Sequence, residues 1–436
     1  MSLLQTNKVH IWHPFTQQKT SAEPIVITRG KAASLFDATG REYLDLISSW
    51  WVNLHGHSHP KIVDALQKQA ATLEHVMFAG FTHEPAITLA RELANLLPEP
   101  LQRVFYSDNG STAIEVAVKM ALQYWHNKGI NKKRLIAFEG AYHGDTFGAM
   151  SLGKSSGFYG PFADYLFDVD FLNYPQTWFN DHDVAAKEAK SLGQFDQLIA
   201  QYGHEIAALV IEPLVQGAAG MRMCRPEFLD AVVQRCRANN ILVIYDEIMT
   251  GFGRTGTLFA CQQQREVPDF ICLSKGITGG FLPLAVTVTN ERIYESFLSD
   301  KFDKTFTHGH SYTANPLGCA AAIASLALFT EEQTLEKISI IQKIHEERIF
   351  QLQATGFVQH GRVCGTIAAM DFCLAGMQYG SHLSQLLKQR FLEEGLNIRP
   401  LGNVIYLMPP YCITPHQLHY AYDLIEKVLN SFYSGL

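Results

Sequence analysis

The sequence predicts an α/β protein: a large domain whose mostly parallel sheet is flanked by helices, and a smaller α+β domain drawn from both termini. Three observations predict it. Apolar runs at 206–211, 241–245 and 270–273 are continuous rather than alternating, the pattern of strands covered on both faces. From about residue 85, strand-like and helix-like segments alternate, as they do where helices connect parallel strands. Beyond residue 317 that alternation gives way to long helices and isolated strands. A chain of 436 residues is long enough for more than one core.

The expected division is 1–60 for the N-terminal part of the small domain, 61–316 for the large domain and 317–436 for the C-terminal part of the small one. Residues 1–60 read as short strands and turns. A hairpin of 24–28 and 34–37 is expected to turn around Arg29-Gly30-Lys31, ahead of the apolar segment Tyr43-Leu44-Asp45-Leu46. Pro60 opens a helix, since proline suits a first helical turn, with Ile62, Val63, Leu66 and Ala70 on one face. In the large domain, strand 103–106 precedes helix 111–127, and strands 134–138, 206–211, 241–245 and 270–273 follow. The last region reads as helices 317–329, 332–352 and 415–429 with strands 366–372 and 404–408.

Composition narrows the function classes. The chain is 47% hydrophobic and 18% charged, with a net charge of −7 and no basic run to track a phosphate backbone. Nucleic acid is therefore not expected as a partner. Eight cysteines are scattered without a CxxC pair, which fits a reducing compartment. Residues 1–10 lack the apolar centre of a signal peptide, and the apolar stretch 319–329 is too short to span a bilayer. A cytoplasmic location and no membrane association are expected.

Ligands of open α/β sheets bind beyond the carboxyl ends of the strands, so what those ends present matters most. The strand ending at Tyr106 runs into Ser107-Asp108-Asn109-Gly110-Ser111-Thr112, where a helix starts. Free N–H groups, two hydroxyls and the positive end of the helix dipole make this a phosphate site, although serine and threonine are also ordinary helix caps. The strand ending at Tyr245 delivers Asp246-Glu247, which suits a metal, a base or an ion pair as well as a solvated turn. The next strand ends in Leu273-Ser274-Lys275-Gly276. A lysine directly after a buried strand is either snorkelling or desolvated, and a desolvated amine is what attack on a carbonyl needs. Together a phosphate cup, an aspartate and a lysine match the demands of pyridoxal phosphate: N–H donors for its phosphate, an acid for its ring nitrogen and an amine for its aldehyde.

From about Trp12 to Leu429 the chain resembles the class III aminotransferases of pyridoxal-phosphate fold type I. The resemblance is carried by 107–112, Ala141-Tyr142-His143-Gly144, Ile211-Glu212-Pro213, 246–256 and 273–276. It implies that Lys275 holds the cofactor as a Schiff base and shuttles the proton, and that Asp246 pairs with the ring nitrogen. Gly110 and Ser111 would bind the phosphate, with Tyr142 on one ring face and Ile248 on the other. Gly309, His310 and Ser311 would reach the phosphate of a neighbouring subunit, so the active sites would be shared in a homodimer.

Further segments point inside the family: 11–16, Ser48-Ser49-Trp50-Trp51, 142–150, 215–221, Ile398-Arg399-Pro400 and 406–411. They resemble the members that aminate 8-amino-7-oxononanoate in biotin biosynthesis, with S-adenosylmethionine as amino donor. Adjacent tryptophans offer flat apolar surface and cation–π contact for a sulfonium and a base, and Arg399 can clamp a carboxylate. The substrate-lining residues implied are Phe15, Trp50, Trp51, Tyr142, Gly309 and Arg399. Phe15 stands where some members carry tyrosine, so it is expected only to line the pocket; Ser311 stands where many carry threonine and keeps the hydroxyl. Trp50-Trp51 and the 142–150 run argue against a member acting on 4-aminobutyrate, ornithine or a diamine. An internal aminomutase would need no second substrate, and a cofactor-binding regulator would need a DNA-binding segment that is not evident. His55-Gly56-His57-Ser58-His59 and His308-Gly309-His310 alternate histidines, but Gly56 and Pro60 suggest a turn and no metal is expected.

Overall fold

The computed structural model describes residues 2–157, 159–374 and 376–434. The expected domain ranges begin at Met1 and end at Leu436, and those two residues lie outside this set. Among the described residues, seven strands form the central sheet, in the order Arg103–Ser107, Ala285–Thr289, Phe270–Leu273, Leu242–Asp246, Ile206–Ile211, Arg134–Phe138 and Asp170–Leu172. Six run in one direction, and Ala285–Thr289 alone is antiparallel to its neighbours.

The continuous apolar runs are explained by cover on both faces. Side chains alternate across a strand, so Leu209, Ile211, Val243, Tyr245, Ile271 and Leu273 enter one core while Ala208, Val210, Leu242, Ile244 and Cys272 enter the other. The helix Gly110–Asn127 belongs to the second core and approaches the sheet through Ala113, Ala117 and Ala121, one turn apart. Their small size lets Thr287 reach across and donate its hydroxyl to the Ala113 carbonyl at 2.8 Å. Each large apolar side chain so buried contributes roughly 1.5–3 kcal/mol, which gives the site a rigid floor.

A second core joins the two ends of the chain. Ala33, Leu44 and Leu46 pack with Ile344, Ile349, Met370, Ile405, Leu418 and Tyr422. The strand Leu396–Asn397 adds in parallel to Glu42–Asp45, completing a four-stranded sheet with Ile27–Lys31 and Ser34–Asp37. A three-stranded antiparallel sheet, Val358–Cys364, Ile367–Phe372 and Val404–Leu407, lies in the same unit.

Two N-terminal expectations are corrected. The first residues are not all strand and turn: Leu3–His10 is a helix, closed by a capping box between Ser2 and Gln5. The hairpin does not turn around Arg29-Gly30-Lys31. Those residues are in the strand, opposite Phe36, Leu35 and Ser34, and the reversal falls at Ala32, which takes a φ of 50°. Ala32 tolerates that backbone because it exchanges two backbone hydrogen bonds with His57.

Candidate functional site

A cavity of about 670 Å³ opens at the carboxyl ends of the parallel strands, within the size range of small-molecule sites. Its walls include Trp51, Gly110, Ser111, Tyr142, Asp246, Ile248 and Lys275, so seven residues expected at the site from sequence are brought together.

Lys275 follows the strand Phe270–Leu273 in a short 3-10 turn and takes a left-handed φ of 42°. Its Nζ lies 4.5 Å above the Trp51 ring. Burial pulls its pKa down to about 8, against the opposing charges of Asp246 and Glu212. Asp246 ends the neighbouring strand. Its carboxylate accepts from His143 Nδ1 at 2.6 Å and from the Ile248 N–H at 3.1 Å. Burial works against a charged His143, but the hydrogen bond and charge of Asp246 outweigh it, so the imidazole's pKa is raised. Glu247 faces the other way, as period-two alternation requires, and accepts the N–H groups of Ala260 and Cys261. The acidic pair is thereby divided into one carboxylate that lines the cavity and one that holds the backbone of 260–261.

The anion cup is built at the N-terminus of Gly110–Asn127. Asn109 is the cap, accepting from the Thr112 N–H at 3.1 Å. The Ser111 hydroxyl is therefore released from capping; it pairs with Thr146 Oγ1 at 2.7 Å and accepts the Thr146 N–H. Two glycines leave the cup open. A Cβ on Gly110 would lie 2.8 Å from Ile248, and one on Gly144, whose φ is 122°, would lie 2.3 Å from Ser111 Oγ. The cradle, the buried lysine amine and the aspartate–histidine pair fit pyridoxal phosphate, in shape and in donor set. Gly144→Ala should strain the backbone and displace Ser111, raising the cofactor dissociation constant about tenfold or more, given roughly 1–3 kcal/mol for overpacking; titrating apoprotein with pyridoxal phosphate checks this.

Tyr142 is fixed at both ends. Its N–H donates to Glu212 at 3.1 Å and its hydroxyl to Asp145 at 3.0 Å. Burial, chiefly, pushes the Glu212 carboxyl up to about 7. His143, Glu212 and Thr146 were not singled out from the sequence as site residues. His143 and Glu212 lie within the motifs beside Tyr142 and after Ile211, which was the available signal.

Three expected substrate residues form a second group beside the cavity. Phe15 and Trp50 meet edge-to-face at 5.7 Å, and the Arg399 guanidinium lies 4.3 Å over the Trp50 ring while donating to the Tyr379 hydroxyl at 2.9 Å. Ser48, Ser49, Trp50 and Trp51 all take φ between 46° and 73°, a left-handed turn that costs roughly 1–2 kcal/mol per residue. Arg254, fully buried, donates to the Pro409 carbonyl at 3.1 Å and to the Asn53 carbonyl at 2.9 Å, closing the base of this turn. Gly309, His310 and Ser311 stand apart from the cavity walls; His310 lies 3.8 Å from Asp108 at the foot of the anion cup. The three histidines of 55–59 diverge, to Ser325, Asp45 and Glu332.

The chain is similar to known proteins over nearly its whole length. Residues 15–429 match the family model for aminotransferase class III. An adenosylmethionine-8-amino-7-oxononanoate aminotransferase of Synechococcus elongatus is 54% identical over 97% of this chain and 98% of its own. A protein of the same name from Geobacter sulfurreducens is 40% identical, covering 100% and 98%. The crystal structure of the Methanocaldococcus jannaschii enzyme of that name is similar at a TM-score of 0.92, with 35% identity over 98% of each chain. A PLP-bound amine transaminase from an uncultivated Pseudomonas species is similar at a TM-score of 0.89, with 29% identity over 97% of this chain and 98% of that one.

Proposed function

This chain belongs to the class III aminotransferases, and on that premise we propose that it aminates 8-amino-7-oxononanoate to 7,8-diaminononanoate in biotin biosynthesis, with S-adenosylmethionine as donor. The observation that carries this reading is the near-full-length match to relatives bearing that enzyme's name. The protein is an enzyme and pyridoxal phosphate is its cofactor. When bound, that cofactor supplies the electron sink through which an amino group leaves one carbon and enters another.

The chain's own residues divide the remaining work. Lys275 would hold the cofactor's aldehyde carbon and, once displaced by a substrate amine, would take and return a proton at Nζ. A pKa near 8 leaves part of that amine neutral at neutral pH. Asp246, oriented by His143, would keep a proton on the ring nitrogen. Gly110 and Ser111 would bind the phosphate, while Tyr142 and Ile248 enclose the ring. Trp50, Trp51 and Phe15 offer aromatic surface, and Arg399 a guanidinium, to a long substrate ending in a carboxylate. Covalent capture of pyridoxal phosphate by apoprotein should accelerate as pH rises through about 8, not 10.5, because only the neutral amine attacks; stopped-flow absorbance measures it.

A homodimer with shared sites and a cytoplasmic location are part of the proposal. Supporting the dimer, Tyr312 is exposed, as are Met77 and Phe81, and the Tyr312 ring lies 5.1 Å from His75. Gly309, His310 and Ser311 immediately precede Tyr312 and would serve the partner's phosphate. Supporting the location, no helix among the described residues is long and apolar enough to cross a membrane.

The test is a half-reaction on the yellow enzyme with S-adenosylmethionine, lysine or 4-aminobutyrate added separately. Bleaching by S-adenosylmethionine, with colour restored by 8-amino-7-oxononanoate, is expected. Bleaching by lysine with the same acceptor would change the donor. Bleaching only by 4-aminobutyrate, with no response to the keto acid, would overturn the substrate assignment.

A further inference from the structure

We propose that Asp45, outside the cavity, is a positioning residue for substrate recognition: its carboxylate holds the left-handed Ser48–Trp51 turn that presents both indoles. The inference rests on the reading of Trp50 and Trp51 as substrate contacts.

Asp45 ends the strand Glu42–Asp45 and is fully buried. Its oxygens accept from the Ser49 N–H at 3.0 Å, Ser49 Oγ at 2.7 Å, Asn397 Nδ2 at 3.0 Å and His57 Nε2 at 2.9 Å. The donors come from the turn itself, the C-terminal strand Leu396–Asn397 and the 53–59 loop. The loop donor is itself oriented: His57 Nδ1 pairs with Asn53 Nδ2 at 3.2 Å, and Asn53 Oδ1 accepts the Gly56 N–H at 2.8 Å. Burial pushes the Asp45 carboxyl up, but these bonds, led by that of His57, outweigh it and hold it below its ordinary range.

A left-handed run without glycine persists only where its surroundings over-determine it. Here Asp45 grips Ser49, the second of the four residues, through both its backbone and its hydroxyl, and the next two residues are the tryptophans. Ser48 is fastened separately by its hydroxyl on the Met408 carbonyl at 2.7 Å. Releasing Ser49 would let Trp50 leave Arg399 and Phe15, whereas the Trp51 indole keeps its own tether, donating Nε1–H to the Tyr406 hydroxyl at 3.0 Å. With the Ile47 N–H at 3.4 Å, five donors converge on Asp45, so asparagine cannot replace it: one of its two polar atoms carries N–H bonds and would face a donor.

The experiment measures Asp45→Asn and Trp50→Ala as holoenzymes. The readouts are KM for 8-amino-7-oxononanoate and S-adenosylmethionine, kcat, the pyridoxal phosphate dissociation constant and the near-ultraviolet circular dichroism of the indoles. For Asp45→Asn, KM for the keto acid should rise about tenfold, with an altered indole signal, while kcat and cofactor affinity stay within about twofold. Unchanged KM in a folded variant, or a fall in kcat and cofactor affinity accompanying the rise in KM, would overturn the proposal. If Trp50→Ala raises KM and Asp45→Asn does not, only the positioning role fails; if Trp50→Ala leaves KM unchanged, the substrate reading of the indole fails and the proposal with it. Should Asp45→Asn not fold, Ser49→Ala decides by the same readouts, with a KM rise of about threefold expected for one lost hydroxyl bond.

Discussion

Lys275→Ala is expected to lower turnover by about 10³-fold or more, equivalent to roughly 4 kcal/mol of barrier, while the protein still folds. Two functions are removed at once, the covalent hold on the cofactor and the proton carrier, and alanine supplies neither. Folding survives because burial disfavours this ammonium: its pKa falls from 10.5 to about 8. Between those values the unfolded chain binds a proton that the folded chain has released, so this group makes wild-type apoprotein more stable as pH rises from 8 to 10.5. The variant should lose that increment and melt at or above the wild-type temperature at neutral pH. Scanning calorimetry of both apoproteins across that window checks the sign. Wild-type turnover by the alanine variant would remove Lys275 from the mechanism.

Asp246→Asn is expected to reduce kcat by about 10²–10³-fold, equivalent to roughly 3–4 kcal/mol of barrier, because the electron sink needs a protonated ring nitrogen. The amide can accept from His143 but brings no charge to hold a proton on a facing nitrogen. A second consequence identifies the cause as electrostatic. Asp246 raises the Lys275 pKa against burial, so its neutralisation should move the pH midpoint of cofactor capture below 8. An unchanged midpoint would mean that the carboxylate acts only as a spacer.

Much of this molecule was legible from residue pattern, and the reasons differ between regions. Strands such as Ile206–Ile211 were read with their observed bounds because both faces are buried and every side chain reports it. The antiparallel strand Ala285–Thr289 was missed, because threonines at 287 and 289 interrupt the apolar run. They are tolerated because each hydroxyl donates to a carbonyl, of Ala113 and Asp269 respectively. The helices Val184–Tyr202 and Pro226–Ala238 were also missed, being amphipathic segments between the strands that drew attention. At the site, Lys275, Asp246 and Ser111 were readable because strand ends have a known geometry. The contact of Arg399 with Trp50 joins residues hundreds of positions apart, and periodicity carries no trace of it or of the packing of Phe15 on Trp50. That Asn109 rather than Ser111 caps the helix was likewise undecidable from composition, since asparagine and serine both suit the position.

The antiparallel strand Ala285–Thr289 also sets the order in which the site can be assembled as the chain is synthesised. It is the one strand that bridges Arg103–Ser107, which carries the anion cup, to Phe270–Leu273, which carries the lysine. A nascent chain that has emerged as far as Lys275 contains cup, aspartate and lysine, yet its Arg103–Ser107 strand has no neighbour in the sheet. Because two reversals of direction restore the first, adding residues 285–289 brings the carboxyl ends of both flanking strands to the same rim. Cofactor capture therefore waits on a segment that contributes no ligand, and ribosome-bound fragments ending before it should emerge colourless.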